Sequence, residues 1–213
     1  TGDGGFGAKA GTEYKIDERQ TAYMNYILDP DRTDIMSRGG EGVLVSGART
    51  RFGDNASVFA EERLRHGGGY SGLTHAYGLD FVPYANWRAG VGAEWGDLHD
   101  PVAGDVKRVA VSTSIGYAHA GLTYSGKFEY RNDKIDSLAA GHSERDTYLT
   151  RNTVGVKMSD DWRFIGRLNG SYSEGSLGTF YDGSYLEAVT GLAYRPINND
   201  RLNMLFKYTY FYD

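Results

Sequence analysis

The chain contains no cysteine, so neither a disulfide framework nor a cysteine-ligated zinc site is open to it. Proline is scarce, at 4 of 213 residues, and no stretch approaches the roughly 18 uninterrupted apolar residues that a membrane-crossing helix needs. No segment shows the apolar period of an amphipathic helix or a convincing helix cap. The formal net charge of -5 gives no general attraction to nucleic acid, and none is expected as a partner. Thr1 opens onto Gly-rich sequence with neither initiator Met nor signal peptide, which leads us to expect a processed or partial chain.

What is abundant is glycine (30) and tyrosine (17), and the tyrosines fall in a regular pattern. From Arg201 to Asp213 every second residue is apolar or aromatic: Leu202, Met204, Phe206, Tyr208, Tyr210 and Tyr212 share one face, with Arg201, Asn203, Lys207 and Thr209 mostly on the other. Strict period-two alternation of this kind marks a β-strand with one greasy and one wet side. Tyr185 to Arg195 repeats the design, and the turn formers of Pro196 to Asp200 join the two segments into a hairpin.

The rest of the chain reads the same way, giving twelve strands in an antiparallel meander. Six short turns (Asp17 to Gln20, Gly53 to Ala56, Tyr84 to Asn86, Ala120 and Gly121, Ser159 to Asp161, Pro196 to Asp200) alternate with five longer loops. The loops are Asp29 to Gly40, Gly67 to Tyr70, Asp97 to Asp105, Asn132 to Asp146 and Glu174 to Gly183. In the strand Ser57 to His66 either facing leaves Glu61 or Glu62 on the apolar side.

A soluble β-sandwich or barrel binding protein also alternates, with strands usually about 5 to 6 residues long. Strands here run about 10 residues, which at a tilt near 40° spans about 25 Å, the height of an outer-membrane apolar band. The expected fold is therefore an all-β, antiparallel, up-and-down transmembrane β-barrel, with residues 1–213 forming one domain.

The pattern across nearly the whole chain resembles the bacterial outer-membrane β-barrel family. More narrowly, Gly72-Leu73-Thr74-His75-Ala76-Tyr77-Gly78 and Asp200-Arg201-Leu202-Asn203-Met204-Leu205-Phe206-Lys207-Tyr208 look like the barrel at the C-terminal end of large proteobacterial surface proteins. The resemblance implies the Gram-negative outer membrane, with a role as membrane anchor or scaffold of a larger surface protein, or as a porin-like diffusion channel. It supplies no site residues. Short turns in such barrels lie on the periplasmic side. Both chain ends would then lie outside, and no final downward strand ends in an aromatic residue. The expectation is a portion of a larger barrel, completed by other segments or chains and surrounded by outer-membrane lipid.

The lumen-lining residues expected from this alternation include Arg49, Arg51, Arg88, Arg108, Lys127, Glu129, Arg131, Arg151, Arg163, Arg167, Glu187 and Lys207. Facing lipid and forming aromatic girdles are Tyr14, Trp87, Trp95, Tyr117, Tyr124, Tyr130, Trp162, Tyr194, Tyr208, Tyr210 and Tyr212. The inward excess is basic, which either biases a passage toward anions or is consumed in cross-strand pairs that fill the lumen. Asp29, Asp31 and Asp34, or Asp97, His99 and Asp100, offer only weak metal-ligand patterns beside their reading as solvated loops. Gly2, Gly4 and Gly5 precede a strand, so no phosphate-binding helix N-terminus is supported. Ser71 and His75 lack an orienting third group and a Gly-x-Ser-x-Gly elbow, so no enzyme, cofactor or metal is expected.

Overall fold

A computed structural model describes residues 8–29, 41–67, 71–101, 104–137, 141–176, 183–196 and 202–212. The side chains of Asp29, Glu41 and Ser137 fall outside that description. So do Phe6, Gly2, Gly4, Gly5, Asp31, Asp34 and Asn198 to Arg201, on which part of the sequence reading rests.

Twelve strands make up the regular structure: β1 Ala8–Lys15, β2 Gln20–Asp29, β3 Glu41–Phe52, β4 Ala56–Gly67, β5 Ser71–Phe81 and β6 Trp87–Asp100 are followed by β7 Gly104–His119, β8 Leu122–Ser137, β9 Gly141–Lys157, β10 Trp162–Gly175, β11 Gly183–Tyr194 and β12 Met204–Tyr212. There is no helix among the described residues. The strands are hydrogen-bonded neighbours in sequence order, an up-and-down meander whose two ends are β1 and β12.

Local chemistry fixes the short turns. Asp17 Oδ1 accepts from the backbone N–H of Arg19 and Gln20 at 2.7 Å each, closing the β1–β2 turn. Ala120 and Gly121 both have positive φ (48° and 83°), the signature of a two-residue turn whose twist matches its strands. Ser159 Oγ accepts from Trp162 N–H at 3.1 Å between β9 and β10.

Register brings the apolar stripes together. Phe164 lies opposite Val156 on one side and Leu192 on the other, and Leu192 lies opposite Phe206. Leu44 lies opposite Tyr26 and Leu64. The same register settles β4: Glu62 is opposite Ser46 on the stripe of Ala60 and Leu64, while Glu61 takes the charged side.

The loop expectations need correction at two places. Asp97 to Asp105 and Asn132 to Asp146 are mostly strand, because β6 runs to Asp100, β7 starts at Gly104, β8 runs to Ser137 and β9 starts at Gly141. The connections shrink to 101–103 and 138–140, so the alternation of short turns with long loops does not hold there. Charge read as loop is charge on extended hairpins.

Contacts divide the chain into two compact units. One comprises Thr1–Leu79, Gly92–Ala110 and Asn132–Glu144, the other Asp80–Val91, Val111–Arg131 and Arg145–Asp213. Within the first, β5 and β6 approach so closely that a Cβ on Gly96 would stand 2.6 Å from Thr74 Cα. Backbone cannot yield as a flexible side chain does, so Gly96→Val should cost about 1–3 kcal/mol. Urea unfolding of the protein refolded in micelles measures this, and an unchanged midpoint would contradict the close approach.

Candidate functional site

The two faces of the sheet are chemically distinct, and on the apolar one large side chains stand exposed along successive strands. In the second unit, Val111 is 50% exposed, Leu168 41% and Tyr172 50%, all on the apolar face. Leu122, Phe128, Tyr148, Leu192 and Tyr208 are likewise exposed. Burying such side chains in a water-soluble core is the ordinary outcome of folding. An apolar face left open along successive strands instead suits a hydrocarbon solvent.

Aromatic contacts bound this face at two levels. Trp87 packs on Tyr117 and Trp162 on Tyr194, with ring centroids 4.8 and 4.7 Å apart, beside the short turns. Toward the other strand ends Tyr148 contacts both Tyr130 (5.3 Å) and Tyr172 (6.3 Å). Trp162 and Tyr172 sit at opposite ends of β10, ten residues apart in number. At about 3.3 Å per residue and a tilt near 40°, that interval rises about 25 Å. In the first unit Trp95 stacks on Tyr77 at 5.1 Å. Of the residues expected in the girdle, Trp87, Trp95, Tyr117, Tyr130, Trp162 and Tyr194 take part in these ring contacts, as do Tyr77, Tyr148 and Tyr172, which the sequence reading left out of the girdle. Tyr124 ties its hydroxyl to Asn152, donating to Oδ1 at 2.7 Å.

Beyond the aromatic level the polarity of the two faces exchanges. On β6, β7, β8 and β9 the outward positions become Asp97, His99, Asp105, Lys107, Lys134, Asp136, His142 and Glu144. The opposite face becomes apolar, and Leu98, Val106 and Ile135 form the buried hydrophobic cluster of the first unit. A strand surrounded by hydrocarbon exposes its oily side; one surrounded by water buries it. His99 Nδ1 meets Asp105 at 2.8 Å across one hairpin, and His142 pairs with Asp136 across the other. Asp97, His99 and Asp100 are therefore not gathered as a ligand set, and the described residues contain no group of three or more potential metal ligands.

Inward charges in the first unit are compensated. Arg63 donates to Glu61 and to Glu94, each at 2.6 Å, and Tyr23 donates to Glu61 at 2.5 Å. Arg65 lies 3.7 Å from Glu94. Arg108 grips Asp133 through two contacts, Nε to Oδ1 at 2.7 Å and a terminal nitrogen to Oδ2 at 2.9 Å, and both side chains are almost wholly buried. Arg108 was expected on the lumen side, either lining a passage or consumed in a cross-strand pair; it is buried, at 3% exposure, and paired with Asp133. Its partner was missed because Asp133 reads as a loop acid in the sequence. Arg49 lies over the Phe59 ring at 5.8 Å.

In the second unit, Lys127 and Arg131 flank Glu129 at 3.0 and 2.8 Å. Arg167 and Asn169 both donate to Glu187, at 3.0 and 2.7 Å. Arg151, Arg163 and Lys207 stand exposed on this face. On the outer face, the register leaves Glu62 with its carboxylate 3.6 Å from His75 Nδ1.

These features define an outer-membrane β-barrel fold. The structure is similar to that of in-vitro folded OmpT, an outer membrane protein of Vibrio cholerae, with a TM-score of 0.56. The match covers 96% of this chain and 79% of that one at 10% sequence identity, so the likeness concerns the fold alone. No family model and no curated protein matches the sequence.

The buried Arg108–Asp133 pair sets a stability expectation. Asp133→Ala strands a desolvated guanidinium and should destabilise by about 3–5 kcal/mol, whereas the paired replacement Arg108→Met with Asp133→Leu should recover most of the loss. Equilibrium urea unfolding in micelles distinguishes the two, and equal losses in both variants would contradict it.

Proposed function

We propose that the chain is an integral component of the Gram-negative outer membrane, without catalytic function, that serves as membrane anchor or scaffold of a larger surface protein. The carrying observation is the exposed apolar face bounded by aromatic rows at both ends of its strands, backed by a charged face on which Arg63, Arg108, Arg131 and Arg167 are ion-paired. A soluble binding protein would have to leave Leu168, Tyr172, Phe206 and Tyr208 open to water.

A scaffold is favoured over a diffusion channel by what the charged face of the first unit buries. Leu98, Val106 and Ile135 cluster on that face, and the Arg108–Asp133 pair is buried on it with compensated charge. A water-filled passage needs open inward surface at every level. Among the described residues β1 and β12 each pair on one side only, and in hydrocarbon an unpaired edge leaves N–H and C=O groups without partners. Further segments or chains that pair with these edges are therefore part of the proposal, together with the surrounding lipid.

The facing assignment has an energetic test. Leu168→Arg places a charge against lipid and should lower stability in bilayers by about 2–4 kcal/mol, while Ser171→Arg on the inward face of the same strand should lower it by no more than about 1 kcal/mol. Equal losses, or the reverse order, would overturn the outward reading. Topology is tested separately with an epitope tag. Placed within 138–140 it should stain intact cells, and placed within 159–161 it should stain only after permeabilisation; the opposite pattern would refute the orientation.

A further inference from the structure

Register places the inward side chains of β9 to β12 on a grid. Lys157, Arg163, Ala193 and Leu205 lie across from one another in one row, and Gly155, Ile165, Gly191 and Lys207 in the next. Two rows further on, Arg151, Asn169, Glu187 and Phe211 are aligned. All of these belong to the second unit.

The charges on this grid do not cancel. Glu187 is already engaged by Arg167, Asn169 and Tyr185. Lys157 is occupied by Asp160 at 2.6 Å. Among the described residues Arg151, Arg163 and Lys207 have no acidic partner, although each is exposed and each faces inward. The inward cations of the first unit at Arg63 and Arg108, by contrast, each hold a carboxylate.

Spacing adds to charge. With strands about 4.8 Å apart and a two-residue step of about 6.7 Å, the α-carbons of Arg163 and Lys207 are about 12 Å apart. Those of Arg151 and Arg163 are about 20 Å apart by the same geometry. Lys207 stands in the row next to that of Arg163, and in its own row Gly155 and Gly191 carry no side chains while Ile165 stands between them. The three cations thus form a triangle with exposed Ile165 and Leu205 between Arg163 and Lys207, too wide for one small anion and suited to a solute with several negative groups.

We propose that the inward face of β9–β12 binds a soluble oligoanion, a solute bearing several phosphate or sulfate groups, through Arg151, Arg163 and Lys207. The inward direction of the face rests on the outer-membrane reading above; the charge arrangement does not. Oxyanions are matched by the planar guanidinium fork of the two arginines, with Lys207 adding a point charge in the row next to Arg163. The bound solute completes a set of charges that the protein itself leaves open.

Inorganic tripolyphosphate is the probe, titrated calorimetrically into the detergent-solubilised chain at low salt. Wild type should bind it, with affinity falling as salt rises. The triple variant Arg151→Gln, Arg163→Gln, Lys207→Gln should bind at least about ten-fold more weakly, and Lys134→Gln, on the outward face of the first unit, should match wild type. Because the three side chains are exposed and hold no acidic partner, the triple variant should keep the heat-modifiable gel mobility of the folded protein. No binding by wild type, or equal binding by the triple variant, overturns the site. Thr153→Cys separates that result from failure of the membrane reading. Labelling by a water-soluble maleimide without binding rejects the oligoanion site alone, and protection from the maleimide with quenching by lipid nitroxides rejects both.

Discussion

A backbone that crosses hydrocarbon has no water to satisfy its N–H and C=O groups, so every one must be paired within the protein. The up-and-down meander meets that requirement for all strands inside the order β1 to β12, each flanked by its sequence neighbours. Everything else follows from the period-two geometry that such pairing imposes. Side chains have only two directions available, and register decides whether like side chains meet. Here they do: Phe164, Val156, Leu192 and Phe206 make one continuous apolar row across four strands, and the intervening row carries Arg163, Lys157, Ala193 and Leu205.

The same geometry accounts for the change of character along the long hairpins. Alternation persists from the apolar part of β7, with Val109 and Val111 exposed, into its first residues, with Val106 buried. What changes is which parity is apolar. An inversion of this kind between Val109 and Val106 is what a strand leaving hydrocarbon for water would show. Trp95 stacks on Tyr77 in the first unit, and Tyr130, Tyr148 and Tyr172 form a row in the second. Rings with an apolar body and a polar edge suit such a boundary.

Strand number, strand order and the sets of side chains that share a face were largely legible in the sequence because all three depend on alternation alone. The Tyr208, Tyr210, Tyr212 stripe and the Leu186 to Tyr194 stripe needed only their own residues to be read. The ends of β6 to β9 were not legible, because the phase inversion makes Asp97, Asp105, Lys134 and Asp136 resemble solvated loop residues. The facing of β4 was left open for a different reason: Glu61 and Glu62 are adjacent acids, and only pairing with β3 assigns Glu61 to Arg63 and Glu62 to the His75 side. The burial of Arg108 could not be foreseen, since its partner Asp133 lies 25 residues away on a segment that reads as loop. Long-range ion pairing leaves no periodic trace.

The most direct test is a cysteine scan of β10 from Trp162 to Ser173 in lipid bilayers, with each position reporting quenching by lipid-borne nitroxides and labelling by a water-soluble maleimide. Lipid quenching should peak at positions 162, 164, 166, 168, 170 and 172 and maleimide labelling at the positions between them. A scan with no two-residue period, or with the two signals exchanged, would contradict the account at its base.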